Sequence, residues 1–298
     1  MKQDHPISEF ARAMQSVPLR PADASEIAAI AKKHSGITSG ENQPEFLRTR
    51  LSKRLLALGL HSYTDYVSYL KGPNGRAEAI LLVEALATHT TSFFREPAHF
   101  DWLNDTGLPA LTQGERRRAN LAVWSAAAST GAELWSCGMV IEEYLRTSGI
   151  NVNYQLFGTD VSRAVLSQGA LAVFSEREIA NIPEELRKNY LLRSKKVVRE
   201  GKPVYRIVPK LRQKAKLAYA NLLDPDSTEL STPMDIVFLR NVLIYFTPED
   251  QKKVVQGVVR RMRPGGYLFV AHTETVRGLV DGLFSVGNSI YQYEAPDG

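Results

Sequence analysis

Four short stretches of this 298-residue chain carry residue types suited to chemistry. The first is Ser125-Ala126-Ala127-Ala128-Ser129-Thr130-Gly131-Ala132-Glu133, whose small side chains let a ligand approach the backbone closely. It lacks the G-x-G-x-x-G dinucleotide fingerprint, and the same composition equally suits a tight packing turn between strand and helix. The second is Asp160, about thirty residues on. An acid there can accept hydrogen bonds from ribose hydroxyls, or can cap a helix beginning at Val161-Ser162. No phosphate cradle followed by Lys-Ser/Thr lies nearby, which favours a nucleoside without phosphates, such as S-adenosylmethionine. The third stretch is Thr88-His89-Thr90-Thr91-Ser92-Phe93-Phe94-Arg95-Glu96. Its threonine hydroxyls and the Arg95 guanidinium can hold a carboxylate, while Phe93 and Phe94 read as core. The fourth is Arg240-Asn241-Val242-Leu243-Ile244-Tyr245-Phe246, directly after an apolar run. Polar groups between apolar neighbours are costly unless they meet a ligand or pair internally.

These stretches need elements to hold them. Residues 1–87 read as helical throughout. One helix opens at Pro21-Ala22-Asp23-Ala24-Ser25. A second carries Phe46, Arg50, Lys53, Arg54 and Ala57 and stops at Gly59. A third starts at Ser62-Tyr63-Thr64-Asp65, and a fourth spans Ala77–Ala87 after the breaker cluster Gly72-Pro73-Asn74-Gly75. The pattern changes after Thr88. Leu121–Trp124, Val152–Phe157, Met234–Leu239 and Tyr267–Val270 are predicted strands. They alternate with predicted helices over Ala132–Ser148, through Leu166, and over Pro248–Arg263, the last ended by Pro264-Gly265-Gly266. Such alternation predicts a parallel, doubly wound α/β sheet. Pro203–Val208 alternates as a strand of a small inserted sheet. The expected organisation is a helical domain over 1–87 and an α/β domain over 88–298, with the β-insertion at about 175–216.

Composition narrows the setting. Hydrophobic residues make up 44% and charged residues 23%, as in soluble globular proteins. No apolar run reaches membrane-spanning length, and Met1-Lys2-Gln3-Asp4-His5-Pro6 leads into no signal-peptide core. The single cysteine, Cys137, excludes an internal disulfide and a cysteine-rich zinc site, and fits the reducing cytoplasm. Net charge is +5, unevenly spread. Glu185–Lys216 holds twelve Lys or Arg and two acids, so it carries +10 and the remainder −5. A concentrated basic surface steers acidic partners, although a solvated lysine-rich face reads the same way.

Several co-linear runs resemble the signatures of the chemotaxis receptor methyltransferases, the CheR family: Thr91–Glu96, Trp124–Glu133 and Arg240–Phe246. Arg54–Leu60, Asn221-Leu222-Leu223, Pro264–Tyr267 and His272-Thr273-Glu274 are similar to that family as well, and the likeness covers residues 23–293 in order. The resemblance implies a Rossmann-like methyltransferase domain with an inserted antiparallel subdomain behind an all-helical domain. It implies transfer of a methyl group from S-adenosylmethionine to receptor glutamates, with S-adenosylhomocysteine as product and no metal. By this likeness Thr91, Arg95 and Glu133 contact the methionine end of the cofactor or line the adjoining pocket. Asp160 binds the ribose, Asn221 and Leu222 the adenine, and Arg240 and Asn241 complete the pocket wall. Arg95 and Tyr245 face the reacting centre and position the substrate glutamate. Arg50 and Lys53 dock the helical cytoplasmic region of a receptor, whose C-terminal tail is a further candidate partner; a monomer without nucleic acid or membrane insertion is implied. The chain departs from the family pattern at His89 (usually Asn), at Ala132 (usually Glu) and at Leu56, where a third basic residue is usual.

A glutamate carboxylate, with pKa about 4.3, is ionised at neutral pH and needs no general base. The lack of a Ser-His-Asp, Cys-His or metal constellation is consistent with such a reaction. Two alternatives stand beside it. A nucleic-acid methyltransferase would use the basic segment, which offers only Tyr190, Tyr205 and Tyr219 for base stacking. A non-catalytic S-adenosylmethionine sensor would bind without turnover.

Overall fold

A computed structural model describes residues 17–36, 38, 44–113, 117–199, 201–224, 227, 230 and 232–295. The helical expectation for residues 1–16 lies outside them. The chain divides into two compact units: residues up to Thr88 with Tyr245–Asp250, and His89–Ile244 with the chain from Gln251 onward.

The first unit holds α1 (Pro21–Ser35), α2 (Pro44–Leu58), α3 (Tyr63–Lys71) and α4 (Gly75–Leu86). Leu47, Leu51 and Leu55 recur every four residues and are fully buried, as are Ile27, Tyr63, Tyr66 and Leu82. That spacing forms one apolar stripe along α2. Ser62 caps α3 by accepting the Asp65 N–H at 3.1 Å. α4 begins two residues earlier than the breaker cluster suggests. Its first residue is Gly75, where a Cβ would come within 1.8 Å of the Leu70 carbonyl oxygen, so the tight turn out of α3 admits only glycine. Glu78 is buried and balanced, taking Arg54 at 2.9 and 2.5 Å and the Tyr66 hydroxyl at 2.9 Å. On α2, Lys53 is exposed and Arg50 is half-buried, stacked 5.3 Å over the Phe46 ring.

The second unit is built on a seven-stranded sheet. Its strands are β1 (Asn120–Ser125), β2 (Asn153–Asp160), β6 (Ala215–Tyr219), β7 (Met234–Leu239), β8 (Met262–Val270), β9 (Leu283–Gly287) and β10 (Ile290–Tyr293). The order across the sheet is β6-β2-β1-β7-β8-β10-β9. The first five strands run parallel, and β10 and β9 close the far edge as an antiparallel hairpin. Every residue of β7 is buried, as the centre of a doubly wound sheet requires. The helix expected over Pro248–Arg263 stops at Val259. Pro264, Gly265 and Gly266 do not terminate it; they lie within β8, where the register against β7 shifts. A Cβ on Gly266 would come within 2.9 Å of the carbonyl oxygens of Arg263 and Asp235, so the glycine serves close strand approach at a bulge.

A three-stranded antiparallel sheet is inserted after β2: β3 (Val173–Ser175), β5 (Lys202–Ile207) in the middle, and β4 (Leu191–Arg199) at the edge. Ala215 and Lys216, expected in this insertion, belong to β6 of the large sheet instead. The basic segment is less free than its composition implies. Lys188, Arg199, Lys202 and Lys210 pair with Glu184 and Glu185, Glu178, Glu176 and Glu142. Arg187, Arg206 and Arg212 donate to backbone carbonyls, and Lys214 to the Asn153 amide oxygen. Most of these acids lie outside 185–216, so they offset part, though less than half, of the charge the linear count gives this segment. Among the described residues no helix is long and apolar enough to cross a membrane.

Candidate active site

Strand register gathers the candidate residues. Ser125 at the end of β1 pairs with Gly158 of β2 and with Phe238 of β7, and Asp160 pairs with Tyr219 at the end of β6. The segments beyond these strands therefore share the carboxyl edge of the sheet, where doubly wound folds bind ligands. They are the turn after Ser125, Asp160 itself, Asn221-Leu222 and Arg240-Asn241.

The turn is held by its own backbone. The Ala126 and Ala128 N–H groups donate to the carbonyls of Phe238 (2.9 Å) and Thr159 (2.8 Å). Ser129 and Gly131 have left-handed φ of 50° and 84°, and a Cβ on Gly131 would come 2.8 Å from the Trp135 indole nitrogen. Ala127 and Thr130 remain half-exposed, so the turn presents an open face rather than lying sealed in the core. α5 (Ala132–Ser148) starts directly after it.

Asp160 is 8% exposed and accepts backbone N–H bonds from Ser129 and Ser162, each at 2.9 Å. The cap of the next helix, α6 (Arg163–Leu171), is Ser162, which accepts the Val165 N–H at 3.4 Å. Asp160 is thus not spent as the helix cap. Its two oxygens can accept about four hydrogen bonds, and two acceptor positions remain for hydroxyls. The open turn and the acceptor positions of this acid suit an adenosyl ligand. Asn221 folds its side chain back to take the Leu223 N–H at 3.1 Å and remains half-exposed beside Leu222.

Arg240 departs from the expected wall residue. Its side chain is 1% exposed and lies between Glu96 at 3.3 Å and Glu133 at 3.4 Å, and it also donates to the Arg95 carbonyl. Its guanidinium further covers the Phe100 and Phe238 rings. It braces the site from behind. Glu133 also accepts the Ser125 hydroxyl at 2.6 Å. Burial pushes its carboxyl pKa upward, and Arg240 and Ser125 pull against that shift. Arg95 is half-exposed, held by an Nη1–H bond to the Thr90 carbonyl at 3.1 Å. Phe94 and Glu96, on either side of it, both have left-handed φ (51° and 56°), a conformation costing roughly 1–3 kcal/mol for such residues. Thr91 lines a groove of about 800 Å³ with Thr130, Ala132, Arg199 and Lys202, whereas Arg95 lines a separate one of about 640 Å³.

Asn241 is the next strained residue, with φ 56°. Its backbone N–H donates to Glu274 at 3.0 Å, as do those of Leu243 (2.9 Å) and Ala271 (3.0 Å). Glu274 is 8% exposed and fixes the whole loop. Sequence reasoning gave it no role, although it lies in the His272-Thr273-Glu274 run of the family likeness and follows a buried strand. Tyr245 belongs to the first unit, where its carbonyl accepts the Thr38 N–H and hydroxyl.

Comparison with known proteins agrees with this geometry. Residues 89–291 match the family model "CheR methyltransferase, SAM binding domain", and residues 22–87 match "CheR methyltransferase, all-alpha domain". The chain is 33% identical over 257 residues to a chemotaxis protein methyltransferase 2 of Pseudomonas aeruginosa, covering 86% of this chain and 88% of that one. It is 30% identical over 258 residues to a chemotaxis protein methyltransferase of Borreliella burgdorferi, covering 86% and 89%. A third relative of the same description, from Klebsiella aerogenes, is 28% identical over 285 residues, 95% and 93% of the two chains. With both family domains matched in order along the chain, and a sheet edge suited to an adenosyl ligand in the second, the chain belongs to the CheR family of S-adenosylmethionine-dependent chemotaxis methyltransferases.

Proposed function

We propose that this enzyme methylates glutamate side chains in the helical cytoplasmic region of chemoreceptors, giving glutamate methyl esters and S-adenosylhomocysteine. The observation that carries the reading is the grouping of the small-residue turn, Asp160 and Asn221 on one sheet edge, within a chain whose relatives are chemotaxis methyltransferases.

When bound, S-adenosylmethionine supplies an activated methyl group on a sulfonium sulfur. The chain's own contribution is binding and alignment. Asp160 accepts the ribose hydroxyls with its two remaining acceptor positions, Asn221 and Leu222 border the adenine, and Thr91 and Glu133 receive the methionine end. Asn241 completes the wall, held in place by Glu274, and Arg240 braces it from behind. Arg95 and Tyr245 orient the substrate carboxylate, which arrives ionised. Arg95 serves orientation better than tight binding, because a strongly held carboxylate is a poorer nucleophile. Alignment alone can supply several kcal/mol, on the order of 7–11 in the best cases.

Arg50 and Lys53 dock the receptor helix, and the tail of a receptor adds a strand to β4. That edge offers Arg193, Lys195 and Lys196 beside the exposed Leu192, Val197 and Val198. The protein acts as a cytoplasmic monomer without nucleic acid. The test is transfer of labelled methyl from S-adenosylmethionine to receptor cytoplasmic fragments, with and without their tails. Alkali-labile label on the receptor is expected; label that resists alkali, or appears only on RNA, overturns the reading.

A further inference from the structure

Beside the strained Arg95 segment lies a cluster that the methyl-transfer reading does not use. Glu96 Oε2, His99 Nδ1 and His272 Nε2 all lie within 4.8 Å of one another. Glu96 Oε2 is 3.4 Å from His99 Nδ1 and 3.9 Å from His272 Nε2. The two imidazole rings are 4.8 Å apart.

The hydrogen bonding of His99 does not close. The residue is 1% exposed, and its two ring nitrogens face two acceptors: the Asn288 carbonyl at 3.2 Å from Nε2, and the Glu96 carboxylate at Nδ1. A neutral imidazole has one N–H to give. If Nε2–H donates to Asn288, the Nδ1 lone pair points at a carboxylate oxygen with nothing between them. The other tautomer leaves Nε2 facing the carbonyl. His99 Nδ1 and Glu96 Oε2 are both buried without a hydrogen-bond partner.

We propose that Glu96 Oε2, His99 Nδ1 and His272 Nε2 form a binding site for a divalent transition metal ion, with zinc the best match to the donor set. With the ion on Nδ1, Nε2–H donates to the Asn288 carbonyl. That arrangement, a ligating imidazole whose other N–H meets a backbone carbonyl, is usual at metal sites. Ligand atoms roughly 2.0–2.2 Å from a tetrahedral ion stand about 3.3–3.5 Å apart. The Glu96–His99 separation already has that value. His272, whose side chain is 38% exposed, has room to swing inward and close the remaining gap. Two imidazoles and one carboxylate select zinc and its neighbours over magnesium or calcium, which prefer oxygen donors. The fourth position, on the exposed side of His272, is left for water. Arg240 stands 3.3 Å from the same Glu96 oxygen and shares the carboxylate with the ion, which weakens the site relative to an all-ligand cage. This site departs from the metal-free expectation; the cysteine count bears only on thiolate sites.

The test uses the full-length protein, stripped with chelator and titrated with zinc chloride by calorimetry, with circular dichroism to confirm folding. One equivalent per chain is expected. His272→Ala, at a half-exposed side chain, should weaken zinc binding at least ~100-fold, since loss of a ligand exceeds the 10- to 100-fold cost of losing a supporting group. His61→Ala, removing an exposed histidine elsewhere, should leave it unchanged. Glu96→Gln provides a second lesion and should weaken binding as well. Absence of zinc binding by the wild type, or equal binding by wild type and His272→Ala, overturns the proposal.

Discussion

Removing the Glu274 carboxylate should loosen the loop that carries Asn241. The carboxylate accepts three backbone N–H groups, from Asn241, Leu243 and Ala271, at 2.9–3.0 Å. Hydrogen bonds to a charged acceptor are each worth about 1.5–3 kcal/mol. Their sum is an upper bound. The site is 8% exposed, so water can replace part of the loss, and freeing the glutamate side chain returns about 1.5–2 kcal/mol of rotamer entropy. A net cost of about 2–4 kcal/mol for Glu274→Ala follows. For a unit of this size that lowers the melting temperature by roughly 5–15 °C. Asn241, held at φ 56°, will relax once its N–H is released, and the pocket wall relaxes with it. Glu274→Gln keeps the shape but turns an NH₂ toward backbone donors, so it should show about half the effect. The assays are thermal unfolding followed by fluorescence and calorimetric titration with S-adenosylhomocysteine well below the melting temperature. If Glu274→Ala melts within about 2 °C of wild type, the carboxylate does not hold the loop. If it melts lower yet binds the product with wild-type affinity, the conformation of Asn241 does not shape the pocket.

Four further outcomes are expected. Asp160→Ala should weaken S-adenosylhomocysteine about 10- to 150-fold by calorimetry, the equivalent of one hydrogen bond to a charged group, and unchanged affinity would remove Asp160 from the ribose site. Tyr245→Phe should slow turnover in a saturated methyl-transfer assay while leaving cofactor affinity nearly intact; equal turnover would remove the hydroxyl from the reacting centre. Gly75→Ala should destabilise the helical unit by about 2–3 kcal/mol, read by urea unfolding, because its Cβ would meet the Leu70 carbonyl at 1.8 Å rather than a movable side chain. Asp23 is held below its ordinary pKa of 3.8 chiefly by its hydrogen bond from Arg20, with Thr64 assisting. A lowered folded pKa gives stability that is present above the unfolded value and lost on acidification. The stability gap between wild type and Asp23→Asn should therefore be full above about pH 4 and close as pH falls below it, and a gap that widens in acid would contradict the pairing.

What could be read in the sequence was whatever local chemistry decides. β7 and α5 have the bounds that pattern alone predicts, Met234–Leu239 and Ala132–Ser148. The first is an unbroken buried run and the second is bracketed by left-handed Gly131 and Gly149. The edge elements were not legible. β4 exposes most of its residues and β9 exposes three of its five, so neither shows the alternation that marks a half-buried strand. Pro264-Gly265-Gly266 misled because the same residues that stop helices also permit a bulge, and only the neighbouring β7 backbone decides between them. The site divides along the same line. The turn at 125–131 and Asp160 announce themselves by composition and spacing, whereas the groups that hold the site rigid meet across long sequence separations. Arg240 reaches the Arg95 carbonyl across 145 residues, and Glu274 reaches back 33 to Asn241. Phe94, Glu96, Ser129 and Asn241 all adopt left-handed backbone that their side chains disfavour. No one of them would hold that conformation alone. Arg240, expected in the pocket wall, and Glu274, given no role of its own, anchor two of the strained segments, so the geometry of the sheet's carboxyl edge rests on residues that are themselves buried.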